Sequence, residues 1–212
     1  TTLLNAFGGN VREIVMGGAA LNPDVEKWFK KFGLPFTVGY GMTEAAPLMA
    51  YEDWWEFASK SCGKAIDTVE VRIDSEDPYN KVGEIQARGM NIMSGYYKNE
   101  EATKAAFTED GWMRTGDLGL LDEKGNIFIK GRSKNMILSA NGQNIYPEEI
   151  EAVVNNQPYV VESVVIDRGA RLVALIYMDA DKAKSEGVDP EAYKNVIMAE
   201  VNKSMPAYSK VN

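Results

Sequence analysis

Blocks of apolar residues near the start of the chain predict a strand, a helix and a second strand. Residues 12–16 and 35–38 have the apolar runs of short buried strands. Between them Asn22 is a helix N-cap, Pro23 takes the first helical position and Gly33 ends the helix. The apolar residues of this helix recur at i, i+3, i+4 and i+7: Val25, Trp28, Phe29 and Phe32. Strand, helix and strand joined by short loops favour a parallel α/β layer, in which ligands bind beyond the carboxyl ends of the strands.

From about Cys62 the pattern changes to short alternating segments. Residues 69–73 and 82–88 predict strands, and residues 118–121 and 127–130 predict a hairpin around the turn sequence DEKGN. We expect an antiparallel β region here, either a sheet or a small barrel. Asn99 is expected to cap a short helix that ends near Phe107. This helix interrupts the β region.

After Lys134 the pattern changes a second time. Residues 147–154 and 190–201 predict helices, and residues 160–166 and 172–178 predict two strands. This arrangement predicts a second, smaller α+β domain that follows the first.

The predicted fold class is therefore α/β together with α+β. We expect residues 1–133 to form a large domain, with an α/β layer at 1–61 and a β subdomain at 62–133. Residues 134–212 are expected to form a small mobile domain. Because the chain starts at Thr1 beside a strand-like segment and stops without a helix-ending signal, we expect it to be a truncated part of a longer protein.

Composition narrows the class of function. The 212 residues carry a net charge of −8, which disfavours binding to nucleic acid or to anionic membranes through bulk charge. No apolar run approaches the roughly 20 residues that a transmembrane helix needs. A single cysteine, Cys62, fits a reducing compartment, so we expect a cytoplasmic protein. The absence of histidine excludes catalysis by Ser-His-Asp or Cys-His sets.

The segment GYGMTE, residues 39–44, is the first candidate site. Gly39 and Gly41 let the backbone turn and approach a ligand, and the Tyr40 ring could cover a purine face. The Thr43 hydroxyl could bind a phosphate oxygen, and Glu44 is an oxygen ligand suited to Mg²⁺. The alternative is a plain strand-to-helix turn in which Thr43 is a cap.

A second set of candidates lies between residues 115 and 142. Asp117, on the tight turn of RTGDLG, could accept hydrogen bonds from both hydroxyls of a ribose, or could only satisfy its own backbone. Arg132 could bind ribose or phosphate oxygens, or form a surface ion pair. Lys134 lies at the expected domain junction, and Gly142 could let a thin ligand pass close to the backbone. A solvated lysine and an ordinary loop glycine are the alternatives for the last two.

Taken together, five segments resemble the adenylate-forming superfamily of AMP-dependent synthetases and ligases. They are GGAAL from Gly17, GYGMTE, GEIQARGMNIMSGYYKNEEAT from Gly83, RTGDLG from Arg114, and GRSKNMILSANGQNIYPEEIE from Gly131. The superfamily includes acyl-CoA synthetases, adenylation domains of peptide synthetases, and luciferases. Through ILSANGQNIYPEEIE the chain is most similar to bacterial long-chain-fatty-acid–CoA ligases.

The resemblance implies an acid–thiol ligase. Such an enzyme uses ATP and Mg²⁺ to convert a carboxylic acid, here a fatty acid, into acyl-AMP, and then transfers the acyl group to coenzyme A. The small domain rotates about a hinge between the two steps. The resemblance assigns the catalytic roles to Thr43, Glu44 as metal ligand, and Lys134 as hinge. It assigns nucleotide or coenzyme binding to a larger set: Gly17, Gly18, Ala19, Gly39, Tyr40, Gly41, Met42, Thr43, Asp117, Arg132 and Gly142.

Two features of the family are absent from this sequence. They are the Ser/Thr/Gly-rich phosphate loop and the lysine that bridges the acyl carboxylate and the phosphate. We therefore expect this chain to be inactive in adenylation by itself. An open sheet edge should favour self-association, and the parent could touch a membrane peripherally. An adenylation domain serving a tethered pantetheine and a non-catalytic nucleotide-binding module remain alternatives.

Overall fold

The computed structural model describes residues 2–18, 21–139, 141–169 and 171–211. The chain divides into two compact units, Thr1–Ile129 and Lys130–Asn212. The domain boundary that the sequence suggests, between residues 133 and 134, stays a prediction.

In the described residues, the first unit contains three α-helices and most of the strands. Its helices are α1 (Thr2–Ala6), α2 (Pro23–Phe32) and α3 (Glu100–Ala106). Its strands are β1 (Ile14–Met16), β2 (Phe36–Val38), β3 (Tyr40–Gly41), β4 (Leu48–Tyr51), β5 (Lys64–Ala65), β6 (Val69–Asp74), β7 (Gly83–Gly89) and β8 (Met113–Leu121). Strand β9 (Ile127–Arg132) crosses the division between the units.

As far as the structure describes it, the second unit continues with two short strands, a longer hairpin and three α-helices. They are β10 (Ile137–Leu138), β11 (Asn144–Ile145), α4 (Pro147–Val154), β12 (Val160–Asp167), β13 (Leu172–Met178), α5 (Ala180–Ser185) and α6 (Pro190–Ser204).

Helix α2 forms as its sequence predicts. The Asn22 side chain accepts hydrogen bonds from the backbone N–H groups of Asp24 and Val25, and Pro23 occupies the first turn. Gly33 ends the helix in the left-handed conformation, with φ of 65°. The adjoining strands β1 and β2 pair in parallel, with Ile14 opposite Phe36, which confirms the α/β layer.

Strands β6 to β9 form a four-stranded sheet in sequential order. Strand β6 pairs antiparallel with β7, and β7 pairs antiparallel with β8. Strands β6 and β9 are the two edges of the sheet, so among the described residues the predicted β region is an open sheet and not a barrel. The first unit also contains a smaller sheet, β3–β4–β5. The hydrophobic core includes Tyr40 and Met49 from the small sheet and Ile85 and Ile127 from the large one.

The second unit is built around the β12–β13 hairpin. These strands pair antiparallel from Val160 with Met178 to Asp167 with Leu172. Helices α4 and α6 contribute Ile150, Val154, Ile197 and Val201 to its core. The sequence pattern predicts all four of these elements. It misses α5 and the short strands β10 and β11, because a two-residue strand and a helix of less than two turns have too few positions to show a period.

No helix in the described part of the chain is both long enough and apolar enough to cross a bilayer.

Helix α2 also carries a buried acid that its pattern does not reveal. Glu26 is only 4% exposed. Its carboxylate forms a 2.8 Å ion pair with Lys30, and accepts hydrogen bonds from the Ser59 hydroxyl and from the Lys60 backbone N–H. Burial acts to raise the pKa of Glu26, but the hydrogen bonds from Lys30 and Ser59 outweigh it and the net pKa is lowered. Glu26 therefore ties α2 to the loop around residues 59–60.

We expect Glu26→Gln to lower the free energy of unfolding at neutral pH by about 2 kcal/mol, because Lys30 and Ser59 lose a buried ionic partner. The folded-state pKa lies below the unfolded one of about 4.3. The contribution is therefore complete above the unfolded value and is lost as the pH falls through the folded one. Urea unfolding followed by circular dichroism, at neutral and acidic pH, measures the difference.

The exposed acid Glu109 provides a matched control, and Glu109→Gln should change stability little. Equal stability of wild type and Glu26→Gln at neutral pH would contradict the assignment. A difference that grows on acidification would contradict it as well.

Candidate functional site

The GYGMTE segment contains strand β3 and the first part of the tight connection to β4. A Cβ atom on Gly41 would lie 2.0 Å from the carbonyl oxygen of Pro47, so only glycine fits at this position. The backbone N–H of Met42 donates to the same oxygen at 2.8 Å. Residues Thr43–Ala45 then form one turn of 3₁₀-helix. This folding leaves Thr43 exposed and Glu44 half-buried, directly after a closely packed backbone.

The Tyr40 ring is part of the core of the first unit. Its side chain is 7% exposed, and its hydroxyl donates a hydrogen bond of 2.7 Å to Oδ2 of Asp117. The two segments that sequence analysis selects as candidates are thus in direct contact. The Tyr40 ring is more enclosed than an open stacking platform would be.

Asp117 lies inside strand β8 and not on a separate tight turn, which corrects the expected local structure. On β7 the single residue Ile85 faces three residues of β8, from Thr115 to Asp117, because the register shifts at this point. Gly116 has φ of +73°, a conformation that side chains disfavour. The result is a β-bulge, a device that redirects a side chain within a strand.

The bulge is fixed by Thr115. Its hydroxyl donates to the Ile85 carbonyl at 2.7 Å and accepts from the Asp117 backbone N–H at 3.1 Å. Asp117 itself is 5% exposed. Its carboxylate is thus held in a rigid, nearly dry position, where its interactions are stronger than in water.

Glu44 has a donor set that fits a metal held largely by substrate phosphates. Oε1 of Glu44 accepts a hydrogen bond of 2.9 Å from the Tyr96 hydroxyl, which leaves Oε2 without such a bond among the described residues. The described residues contain no group of three or more acidic, cysteine or histidine side chains able to hold a metal. Mg²⁺ commonly binds one or two carboxylates together with phosphates and water, so Glu44 alone is consistent with it.

The glycines after β1 lie beside the GYGMTE segment. A Cβ atom on Gly17 would lie 3.3 Å from the Gly39 carbonyl oxygen, and the Gly39 N–H donates to the Met16 carbonyl oxygen at 2.8 Å. Gly18 is exposed. The predicted site residue Ala19 lies outside the described residues.

Three of the predicted site residues belong to the second unit. Arg132 ends β9, and its backbone N–H donates to Oε1 of Glu148 at 3.3 Å. Lys134 is exposed in the turn that follows. Gly142 has φ of +79°, and a Cβ atom on it would meet open space, with no atom of the described residues beyond its chain neighbours within 4 Å.

Sequence reasoning did not select the residues that support these candidates. The Asn91 amide donates to the carbonyl oxygens of Ala45 and Leu48, and Tyr96 contacts Glu44. In the second unit Glu148 accepts hydrogen bonds from Arg132 and Asn135. The one sequence signal for Asn91 and Tyr96 is that both lie in GMNIMSGYYKN, part of a segment that resembles the family. The resemblance assigns no role to individual residues of that segment.

Two family models match the chain. The model described as AMP-binding enzyme matches residues 3–97, and the one described as AMP-binding enzyme C-terminal domain matches residues 134–212. The chain belongs to this family of AMP-binding, adenylate-forming enzymes, as its motifs indicate.

Its relatives include ligases that act on different acids. Long-chain-fatty-acid–CoA ligase 4 of Saccharomyces cerevisiae is 35% identical over 86% of this chain and 26% of its own length. The 2-succinylbenzoate–CoA ligase of Listeria innocua is 36% identical over 92% of this chain and 41% of its own length. This chain therefore spans less than half the length of either relative.

A solved structure shows the same fold. The o-succinylbenzoate CoA synthetase of Bacillus subtilis, in complex with its acyl-adenylate intermediate, matches with a TM-score of 0.80 at 27% identity. The match covers 98% of this chain and 44% of the synthetase.

Cys62 provides a probe of the region around Asp117. Burial, followed by the nearby negative charge of Asp117, raises the pKa of the Cys62 thiol to about 11. Because the thiolate is the reactive form, we expect native Cys62 to react with iodoacetamide at neutral pH at least tenfold more slowly than in urea. Mass spectrometry of the alkylated protein measures both rates, and the unfolded chain is its own control. Equal rates in the two states would show that Cys62 is accessible and its pKa ordinary.

Proposed function

We propose that this chain is part of an acid–thiol ligase that binds the adenosine portion of ATP or AMP. The ligase activates a carboxylic acid as its acyl adenylate and transfers the acyl group to coenzyme A. The 2.7 Å hydrogen bond between Tyr40 and Asp117 carries this proposal, because it joins the two nucleotide-like motifs in one buried cluster.

In this proposal Tyr40 and Asp117 bind the nucleoside. The Tyr40 ring offers its face or edge to adenine, while the Asp117 carboxylate accepts hydrogen bonds from ribose hydroxyls. Each side chain restrains the other, so little conformational entropy is lost when the ligand binds. By the family resemblance, Gly17, Gly18 and Ala19 border the adenine and acyl groups. Gly39 lets the backbone turn and approach the ligand closely.

Thr43 and Glu44 act on the phosphates. The exposed Thr43 hydroxyl donates to a phosphate oxygen, and Glu44 holds Mg²⁺ through its carboxylate. When bound, the metal neutralises phosphate charge. The closely packed Gly41 and Met42 backbone fixes both side chains before the substrate arrives, which is the positioning that phosphoryl chemistry requires.

For the second unit we propose the roles that the family resemblance implies. Arg132 binds ribose, Lys134 is the hinge, and Gly142 borders the path of the coenzyme A thiol. The exposure of Lys134 in a turn and the open space around Gly142 are compatible with these roles.

The named relatives favour coenzyme A over a tethered pantetheine as the acceptor, since both are CoA ligases. They act on a fatty acid and on succinylbenzoate, so the proposal extends to carboxylic acids as a class. A fatty acid, a cytoplasmic location, self-association of the chain and peripheral membrane contact of the parent stay predictions.

We expect Asp117→Ala to weaken AMP binding about 30-fold, because the nucleotide loses charge-assisted hydrogen bonds from ribose to a buried carboxylate. Isothermal calorimetry on the folded 212-residue chain measures this effect. Asp117→Asn keeps the side-chain shape and removes the charge, and it should also weaken binding.

Glu123 is the matched acidic control, since it is exposed on the β8–β9 turn. Glu123→Ala should bind AMP like wild type. If Asp117→Ala and Glu123→Ala bind AMP equally well, Asp117 does not hold the nucleotide.

We also expect this chain alone to show no ATP–pyrophosphate exchange, because its sequence lacks the phosphate loop and the adenylation lysine. Radiolabelled pyrophosphate exchange, with a full-length family member as the positive control, measures this activity. Exchange at a normal rate would show that other residues of this chain replace the phosphate loop and the adenylation lysine.

A further inference from the structure

Segment 91–96 forms two hydrogen bonds with the backbone of the Thr43–Ala45 turn and one with the backbone of Leu48, which follows it. The Asn91 amide donates to the carbonyl oxygens of Ala45 at 2.7 Å and Leu48 at 2.9 Å. The Met93 backbone N–H donates to the Glu44 carbonyl oxygen at 2.8 Å. These bonds fix the backbone that carries Glu44.

Tyr96 adds the contact to the Glu44 side chain. Its hydroxyl donates to Oε1 of Glu44 at 2.9 Å. The Tyr96 backbone is itself anchored, because its N–H donates to the Thr103 hydroxyl at 2.9 Å. That hydroxyl donates in turn to the carbonyl oxygen of Asn99, the N-cap of α3, at 2.8 Å. Tyr96 is thus hydrogen-bonded at its backbone to Thr103 of α3 and at its hydroxyl to the Glu44 carboxylate.

A glutamate on a half-exposed turn samples several rotamers, and each one that does not face the ligand weakens binding. Occupying one oxygen with a fixed donor selects a rotamer and presents the other oxygen to the ligand. Groups that orient metal ligands in this way typically change metal affinity by about 10-fold or more when they are removed.

We propose that Tyr96 is a positioning residue that orients the Glu44 carboxylate for Mg²⁺ through its hydroxyl. The inference rests on the proposed role of Glu44 in nucleotide binding. It assigns a role to GYYKN, which the proposed function leaves without one.

The chain offers a closely matched pair of variants. Tyr96 is 42% exposed, so Tyr96→Phe removes the hydroxyl without opening a buried cavity. The neighbouring Tyr97 is 89% exposed and its hydroxyl has no hydrogen bond in the described structure, so Tyr97→Phe is the control. Glu44→Gln removes the metal ligand itself.

The experiment measures two affinities for each variant by calorimetry: AMP without metal, and ATP across a Mg²⁺ titration. For Tyr96→Phe we expect the Mg²⁺ concentration that half-saturates ATP binding to rise about tenfold. Metal-free AMP binding, which does not use Glu44, should change far less. Tyr97→Phe should match wild type in both measurements. In the Glu44→Gln background Tyr96→Phe should have no further effect on Mg²⁺ dependence, because the two residues act through one interaction.

Four results would overturn the inference. An unchanged Mg²⁺ dependence in Tyr96→Phe, an equal shift in Tyr97→Phe, or an additive effect on top of Glu44→Gln would each do so while leaving nucleotide binding intact. A wild-type chain that binds no AMP would overturn the inference and the proposed function together.

Discussion

The hydrogen bond between Tyr40 and Asp117 is the interaction on which the candidate site depends. It joins residues 77 positions apart, one from the small sheet and one from the large sheet of the first unit. Both side chains are nearly covered, and a polar pair so placed is stable only when each group finds its partner. The bond therefore fixes two segments that are distant in sequence at one place in the first unit.

The backbone around this bond explains why it forms. At Gly41 the chain approaches Pro47 so closely that no side chain fits, which sets the start of the Thr43–Ala45 turn. At Gly116 the bulge redirects Asp117 within a strand that would otherwise be regular. Each device costs some backbone entropy, which the surrounding sheets offset by burying Met49 and Ile85.

Local features of the fold could be predicted from the sequence. The cap at Asn22, the end of α2 at Gly33 and the start of α4 at Pro147 each depend on neighbours within a few residues. The bulge at Asp117, the burial of Glu26 and the bonds of Asn91 depend on segments far away in the sequence, so no periodic pattern reports them. The same reason explains why the motifs select Glu44 but not Tyr96.

The central claim is that Tyr40 and Asp117 bind one adenosine together. A crystal structure of this chain with AMP tests it most directly. The account predicts adenine against the Tyr40 ring and ribose hydroxyls within hydrogen-bond distance of the Asp117 carboxylate. AMP bound elsewhere, with the Tyr40–Asp117 pair untouched by the nucleotide, would contradict it.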